Sequence, residues 1–261
     1  MAFFDSDLVE ILNKAAIDAG KEILRIRDRG HDVREKHDSS PVTDADEAGE
    51  RIILAVLEKA TPDIPIVAEE RAAAGYTPDD IGTRFWLVDP LDGTKEFIRG
   101  LADFTVNIGL IDDGRPVMGV VYAPARGELY FVAKPDEAYL RTLGAEGTWS
   151  PDKRIQVRTP KPEGLAIVAS KSHRNQETDD FIAKLPVKTL VSAGSSLKFC
   201  LVATGDADVY PRLGPTMEWD TAAGDAVLRA AGGQVTTLEG EPFLYGKPDF
   251  RNGFFVAKGN V

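Results

Sequence analysis

Residues 104–134 (FTVNIGLIDDGRPVMGVVYAPARGELYFVAK) constrain the fold of this chain more than any other stretch. Short apolar segments rich in Val, Ile and aromatic residues follow one another along it, and Asp113-Gly114 lies between two of them. An Asp-Gly pair between apolar segments is a strong signal for the tight turn of an antiparallel hairpin. The stretch therefore predicts two or three adjacent strands, and RFWLVDP at residues 84–90 predicts a buried strand just before them.

Helical patterns precede this sheet. Apolar residues recur with helical spacing over about residues 8–24, and Asp5 or Ser6 is available as the N-terminal cap. A second helical pattern covers about residues 46–59, and IPIVAEE at residues 64–70 predicts a strand that ends in two glutamates. The first half of the chain is thus expected to combine helices with a largely antiparallel sheet.

The second half of the chain alternates between strand and helix patterns. The segments concerned are, in chain order, GLAIVAS (strand), SSLKFCLVATG (helix), ADVYPRL (strand), DTAAGDAVLRAAGG (helix) and QVTTL (strand). Between Gly144 and Gly164 the chain is rich in Gly, Pro and charged residues, which is typical of a junction. We therefore expect an N-terminal α+β half over residues 1–150 and a C-terminal α/β half over residues 151–261, joined in a layered α/β fold.

The composition limits the classes of partner. With 42 acidic and 31 basic residues the formal net charge is −11, which opposes binding to nucleic acid polymers and anionic membranes. The N-terminal region lacks the basic start of a signal peptide, and no run of about 18 apolar residues occurs, so we expect no membrane insertion. The single cysteine, Cys200, excludes an intrachain disulfide and favours a reducing, cytoplasmic location.

The segment WLVDPLDGT, residues 86–94, places two aspartates at the end of a predicted strand. Pro90 fixes its own φ angle and Gly93 permits an unusual backbone conformation, so the carboxylates of Asp89 and Asp92 can converge. Convergent carboxylates repel each other unless a cation lies between them, and Mg²⁺ prefers oxygen ligands of this kind. The carbonyl group of Leu91 would be a further ligand. A simple acidic turn is the alternative interpretation.

Other acidic residues also lie where elements begin or end. Glu69 and Glu70 follow the strand IPIVA, Asp46 lies at the start of a helix, and Asp220 precedes TAAG; residues 71–84 are predicted to form a loop. Taken singly, Asp46 and Asp220 are each better explained as helix caps than as ligands. The spacing excludes an EF-hand loop, and phosphatases that form an aspartyl-phosphate need Asp-x-Asp in place of Asp-x-x-Asp.

The motifs AEE, WLVDPLDGT and WDTAAG, in this order, resemble the Mg²⁺-dependent, lithium-sensitive phosphatases of the inositol monophosphatase superfamily. Within it, the chain resembles the 3′(2′),5′-bisphosphate nucleotidases of the CysQ type. The segments that carry this narrower resemblance are SPVTDAD, GTKEF, FTVNIGLI, GSSLKFCLVATG and DVYPR. The resemblance implies an alternating αβαβα sandwich.

The resemblance also implies the layout of a metal site. Glu69, Asp89 and the Leu91 carbonyl would surround one ion, and Asp89, Asp92 and Asp220 a second. Two or three Mg²⁺ ions are expected, with Li⁺ as an inhibitor. Asp46 and Thr94 match the pair that orients and deprotonates the attacking water. Glu70 is either a further ligand or a partner that orients one.

Substrate-binding residues follow from the same resemblance. The backbone N–H groups of Gly93 and Thr94 would hold the reacting phosphate, and Lys95 is a further expected substrate-binding residue. Ser195 and Lys198 lie three residues apart at a predicted helix start, where they would meet a second phosphate together. Arg212 and His173 would face the same nucleotide. The alternatives are solvated surface charges for Lys198 and Arg212 and a loop position for His173.

We therefore expect a Mg²⁺-dependent phosphomonoesterase that removes the 3′-phosphate of adenosine 3′,5′-bisphosphate, and of its sulfated analogue, by attack of activated water. The N-terminal half would carry most metal ligands, and the C-terminal half Asp220 and the residues that select the substrate. An inositol monophosphatase or a sugar (fructose-1,6-bisphosphate) phosphatase with the same metal site is the alternative. A non-catalytic regulator that binds nucleotide or metal represents a different class. A monomer and a homodimer are both compatible with the sequence.

Overall fold

The computed structural model describes residues 6–36, 40–172 and 174–261. The α-helices of the described part are α1 (Ser6–Arg29), α2 (Asp44–Ala60), α3 (Glu69–Ala73), α4 (Thr94–Ile98), α5 (Gln176–Ile182), α6 (Leu197–Ala203) and α7 (Ala222–Ala230), with a 3₁₀ turn at Pro248–Phe250. None of these helices is both long and apolar enough to span a bilayer. The predicted cap Asp5 lies outside the described residues.

The first large sheet has seven strands in the order β3-β4-β5-β6-β7-β8-β9. Its strands are β3 (Ile66–Ala68), β4 (Arg84–Asp92), β5 (Thr105–Asp112), β6 (Arg115–Ala123), β7 (Glu128–Lys134), β8 (Glu137–Thr142) and β9 (Lys153–Ile155). Only the β3–β4 pair in this sheet is parallel. The strands and the Asp113-Gly114 turn predicted within residues 104–134 are confirmed, and both turn residues have positive φ angles.

The second large sheet has five strands in the order β11-β10-β12-β14-β13. These strands are β10 (Leu165–Ser170), β11 (Val187–Ala193), β12 (Val209–Arg212), β13 (Gln234–Thr236) and β14 (Phe255–Lys258). A separate hairpin consists of β1 (Val33–Glu35) and β2 (Pro41–Thr43), which precede α2. The division of the chain at residue 150 stays a prediction; β9 still pairs with β8 in the first sheet.

Successive buried residues of a strand point to opposite faces of the sheet and therefore belong to two different core layers. In β4, Trp86 and Val88 pack into the cluster that contains α1 and α2, whereas Phe85 and Leu87 pack into the cluster that contains α6 and α7. The second sheet covers the other side of α6 and α7 through buried residues such as Phe255. Helix α5 packs on its outer face through a smaller cluster. The expected αβαβα sandwich is confirmed by this order of layers.

Two sequence predictions about element ends are wrong. Glu69 and Glu70 do not end a strand; they open the short helix α3, which also takes up the first residues of the predicted loop 71–84. Asp220 does not cap a helix, because α7 begins at Ala222 and Thr221 occupies the cap position. The strand ends before Glu69, and α7 begins one residue later than a cap at Asp220 would require. The order of residue types in the sequence does not fix these element boundaries.

Candidate active site

A cavity of about 760 Å³ lies where the ends of β4, β10 and β12 approach the start of α6. It contains most of the residues predicted to form the site. These are Glu69, Asp89, Leu91, Asp92, Gly93, Thr94, Lys95, Ser195, Lys198, Arg212 and Asp220. Two predicted residues, Asp46 and Glu70, are not part of this lining, Glu70 lines a separate cavity, and His173 is outside the described residues.

The end of β4 forms a turn that directs its carboxylates into the cavity. The pairing of β4 with β5 is regular up to Asp89 and shifts in register before Asp92, so the strand bulges between these residues. The Asp89 carboxylate accepts a hydrogen bond of 2.9 Å from the N–H of Leu91. Gly93 then adopts φ 93° and ψ 38°, a conformation that favours glycine, and α4 begins at the next residue.

Strand register brings a third acidic residue to the same place. In the parallel β3–β4 pair, Ala68 lies opposite Val88, so the residues that follow, Glu69 and Asp89, are neighbours. The two carboxyl groups are close enough for Glu69 to raise the pKa of Asp89 beyond the effect of burial. Asp220 reaches the cavity from the segment before α7, and its carboxylate accepts a hydrogen bond of 2.9 Å from the N–H of Met217.

These carboxyl groups repel one another in a buried setting. Burial is the main cause that raises the pKa of Asp89 well above its ordinary value, and the charges of Glu69, Asp92 and Asp220 add to it. Burial followed by the charges of Asp92 and Glu69 raises the pKa of Asp220 in the same way. Burial also raises the pKa of Asp92 to about 6, although Lys198 opposes this shift. A cluster of this kind is stabilised by added positive charge.

The ligand types fit Mg²⁺, which prefers carboxylate and carbonyl oxygens. The side chains are nevertheless engaged with protein partners, and within the described ranges no three carboxyl, imidazole or thiol groups enclose an ion position as they stand. The ammonium group of Lys36 lies 2.7 Å from carboxylate oxygens of both Glu69 and Glu70. Burial alone would lower the pKa of Lys36, but these two carboxylates raise it above its ordinary value.

Sequence reasoning missed Lys36 as part of this site. The residue follows β1, a strand of only three residues with no readable periodicity, and its partners are more than thirty positions away. A lone lysine after a short strand carries no signal of a distant carboxylate pair. Only the folded hairpin brings the ammonium group to the acidic cluster.

Asp46 takes part in the capping box at the start of α2, with Thr43 as the cap residue, and its role toward water stays a prediction. Its carboxylate accepts hydrogen bonds of 2.7 Å from the N–H and the hydroxyl group of Thr43, which is the capping box of α2. Its other oxygen accepts a hydrogen bond of 3.2 Å from the hydroxyl group of Thr94, which lines the cavity. Burial raises the pKa of Asp46 to about 6, while the bonds from Thr43 act in the opposite direction.

A second polar group of residues lies in the same cavity. Lys198 and Arg212 are only 4% and 8% exposed, so neither is a solvated surface charge. Burial lowers the pKa of Lys198 to about 8, and its ammonium group donates to the carbonyl of Ser195. The hydroxyl of Ser195 and the Nε atom of Arg212 are buried and find no hydrogen-bond partner among the described residues. Both atoms therefore remain available to a ligand.

The predicted geometry of Ser195 needs a correction. The residue does not lie on the first turn of α6, because the helix begins two positions later at Leu197. Ser195 instead adopts a positive φ of 44°, which is uncommon for a residue with a side chain. This strained turn brings its carbonyl group toward Lys198 and leaves its hydroxyl group in the cavity wall.

The chain belongs to the inositol monophosphatase family, whose sequence model matches residues 5–254. A relative from Escherichia coli (strain K12), the 3′(2′),5′-bisphosphate nucleotidase CysQ, is 45% identical over 232 residues, which cover 88% of this chain and 90% of that protein. The crystal structure of CysQ from Bacteroides thetaiotaomicron is 37% identical, covers 99% of both chains and superposes with a TM-score of 0.81. SuhB from Bartonella henselae is 27% identical, covers 98% of this chain and 94% of its own, and gives a TM-score of 0.77. The resemblance predicted from the motifs is confirmed.

Proposed function

We propose that this chain is a Mg²⁺-dependent phosphomonoesterase that removes the 3′-phosphate of adenosine 3′,5′-bisphosphate, releasing AMP and phosphate. The observation that carries the proposal is that one cavity is lined both by the acidic residues Glu69, Asp89, Asp92 and Asp220 and by Ser195, Lys198 and Arg212. The CysQ relatives, which are named as 3′(2′),5′-bisphosphate nucleotidases, support the same substrate class.

The acidic side chains would hold the metal. We assign Glu69, Asp89 and the Leu91 carbonyl to one Mg²⁺ and Asp89, Asp92 and Asp220 to a second, with a third ion as an option. When bound, these ions polarise the phosphate group, favour deprotonation of water and stabilise the leaving oxygen. Inhibition by millimolar Li⁺ is part of the proposal. The chain's own contribution is a rigid, buried arrangement of oxygen ligands whose mutual repulsion is relieved by cations.

Thr94 and Asp46 would act together on the attacking water. The Thr94 oxygen lies 3.2 Å from both the Asp46 carboxylate and the Leu91 carbonyl, so its single hydrogen is donated to one of these two acceptors. Its lone pairs are then left to accept a hydrogen bond from water in the cavity. Asp46, with its pKa near 6, is ionised at neutral pH and receives the proton through the hydroxyl group.

Both phosphates of the substrate would meet prepared partners. The N–H groups of Gly93 and Thr94, at the start of α4, together with Lys95, face the reacting phosphate. Lys198, Arg212 and the Ser195 hydroxyl would bind the 5′-phosphate. A monophosphate leaves the Ser195 hydroxyl group and the Arg212 Nε atom without a partner, and such unpaired groups reduce affinity strongly. This difference favours the nucleotide bisphosphate over inositol monophosphate. Removal of the 3′-phosphate from the sulfated analogue is included in the proposal.

The test is phosphate release from adenosine 3′,5′-bisphosphate, inositol 1-phosphate and fructose 1,6-bisphosphate, each with Mg²⁺ and with EDTA. We expect Mg²⁺-dependent release that is fastest from the nucleotide. Faster release from inositol or sugar phosphate would be consistent with the proposed metal site. It would contradict the assignment of Lys198 and Arg212 to the 5′-phosphate. Tight nucleotide binding without turnover would indicate a regulator instead. A cytoplasmic location is part of the proposal and is supported by the single, fully buried Cys200.

A further inference from the structure

Glu50 of α2 binds the backbone next to the acidic cluster. Helix α3 begins at Glu69, and the residue before it, Ala68, has no side chain that can cap its first N–H groups. Glu50 supplies the missing acceptors: its carboxylate oxygens lie 2.8 Å from the N–H of Glu70 and 3.0 Å from the N–H of Arg71. The side chain is only 5% exposed. A carboxylate from another helix therefore fixes the backbone directly after Glu69.

The position of Glu50 on α2 relates it to the rest of the site. Asp46 lies four residues earlier and hence on the same helix face, where it contacts Thr94 after β4. Glu50 contacts the backbone after β3, and β3 and β4 are parallel neighbours. One face of α2 thus reaches the ends of both strands that carry acidic residues into the cavity.

Helix α2 itself is held closely against this region. A Cβ atom at Gly49 would lie 3.4 Å from the Cβ of Pro90 and 3.1 Å from the Cδ1 of Ile23. Pro90 belongs to the turn between Asp89 and Asp92. The distance between Glu50 and the acidic turn is therefore set by direct packing, and the hydrogen bonds of Glu50 transmit that position to α3.

We propose that Glu50 is a positioning residue for divalent cation binding: it holds the start of α3 so that the Glu69 carboxylate faces Asp89. Without these two acceptors the first turn of α3 is free to shift, and Glu69 stays with its other partner, Lys36. The inference rests on the proposed function for the existence of the cation site. It adds a residue that touches neither the cation nor the substrate.

The test compares Glu50→Gln with Glu58→Gln in the full-length chain. Glutamine keeps one acceptor oxygen but turns an amide N–H₂ group toward the second backbone N–H, so one hydrogen bond is lost. Glu58 is the matched control because it lies on the same helix and contacts the Arg71 side chain at 2.8 Å, but on the surface. The probe is Mn²⁺ alone, with binding followed by electron paramagnetic resonance.

We expect Glu50→Gln to weaken Mn²⁺ binding by about tenfold or more, and Glu58→Gln to stay within about twofold of the wild type. Amide hydrogen exchange at residues 70 and 71 should accelerate in Glu50→Gln only. The Mg²⁺ midpoint of activity should rise by the same factor, whereas the substrate KM at saturating Mg²⁺ stays within about twofold. A residue with a merely structural role would not produce this split.

Two outcomes separate this inference from the proposed function. If the wild type does not bind Mn²⁺, the cation site itself is wrong. If the wild type binds and a folded Glu50→Gln variant binds within about twofold of it, only the role of Glu50 is wrong. Should Glu50→Gln fail to fold, Glu50→Asp replaces it, because the shorter side chain withdraws the carboxylate from both N–H groups; unchanged Mn²⁺ affinity in that variant overturns the inference.

Discussion

At the scale of single residues, the site combines side chains that have opposite needs. Asp92 is half-buried among other acids, and Lys198 is buried beside it. The loss of solvent raises the pKa of Asp92 and lowers that of Lys198, so the neutral form of each group is favoured. Ser195 adopts a left-handed backbone conformation, which costs on the order of 1–3 kcal/mol for a residue with a Cβ atom. These features reduce stability and increase the capacity to bind ions and phosphate.

Replacing Asp92 by Asn is expected to abolish turnover and leave the fold intact. The change removes one cation ligand, and losing several kcal/mol of electrostatic stabilisation lowers kcat by about a thousandfold. Without metal, the variant should unfold at the same temperature as the wild type or slightly higher, because a buried charge surrounded by other acids has been removed. Initial rates with Mg²⁺ and thermal unfolding in EDTA check both parts. Retained activity would contradict the two-ion assignment.

The pKa of Asp46 predicts an acid limb in the pH profile of kcat at saturating Mg²⁺. Burial raises this pKa from 3.8 to about 6, and a base accepts protons only in its ionised form. Activity is therefore expected above about pH 6 and should fall as the pH decreases through that value. The profile should be measured for the wild type and for Thr94→Ser, which keeps the hydroxyl group. A kcat that stays constant down to pH 5 would argue against Asp46 as the base.

At the scale of elements, the approach of α7 to the first sheet determines where Asp220 lies. Gly109 of β5 and Gly119 of β6 are cross-strand partners, and both face this helix. A Cβ atom at Gly109 would lie 2.9 Å from the Cβ of Ala222, and one at Gly119 would lie 2.5 Å from the carbonyl oxygen of Ala223. The two glycines thus permit backbone contact at the start of α7, two residues after Asp220.

Gly109→Ala is expected to destabilise the protein by about 1–3 kcal/mol through overpacking. Because the clash is with Ala222 at the start of α7, the change should also displace Asp220 and raise the Mg²⁺ concentration needed for half-maximal activity. Gly253→Ala is the matched control, since a Cβ atom there meets nothing within 4 Å. Denaturant unfolding and Mg²⁺ titrations of both variants test this. Equal effects of the two substitutions would show that α7 tolerates a larger separation.

At the scale of the whole molecule, the formal net charge of −11 repels the anionic substrate that the site is proposed to bind. Local cations must offset that field, and Lys95, Lys198 and Arg212 line the cavity together with Arg251 at a more exposed position. Two bound Mg²⁺ ions would add four further positive charges. The molecule is therefore expected to depend on metal for stability as well as for activity.

Mg²⁺ should raise the unfolding temperature of the wild type, because a ligand that binds only the folded state stabilises it. At a concentration about 100 times the Kd, the gain is about 2.7 kcal/mol. Thermal unfolding with increasing Mg²⁺, and with Na⁺ at matched ionic strength as the control, checks this. A shift that Na⁺ reproduces would indicate general screening, and the absence of any shift would contradict a resident cation site.

Much of the fold was predictable because its signals are local. The hairpin at Asp113-Gly114 and the apolar segments of β4 and β5 are read directly from the sequence, and the acidic motifs lie where strands end. The partners of Lys36 and Glu50 were not predictable. Each lies at least twenty residues from the group it contacts, and neither belongs to a periodic pattern that specifies its neighbour. Such contacts depend on tertiary packing, which a single sequence does not display.

The most direct test of the account is the ratio of kcat/KM for adenosine 3′,5′-bisphosphate to that for adenosine 3′-monophosphate at saturating Mg²⁺. The two substrates share the reacting phosphate and differ only in the second one. We predict that the wild type prefers the bisphosphate by about a hundredfold, and that Lys198→Met lowers this ratio by about tenfold or more while changing the monophosphate value little. A ratio near one in the wild type, or an unchanged ratio in Lys198→Met, would contradict the account.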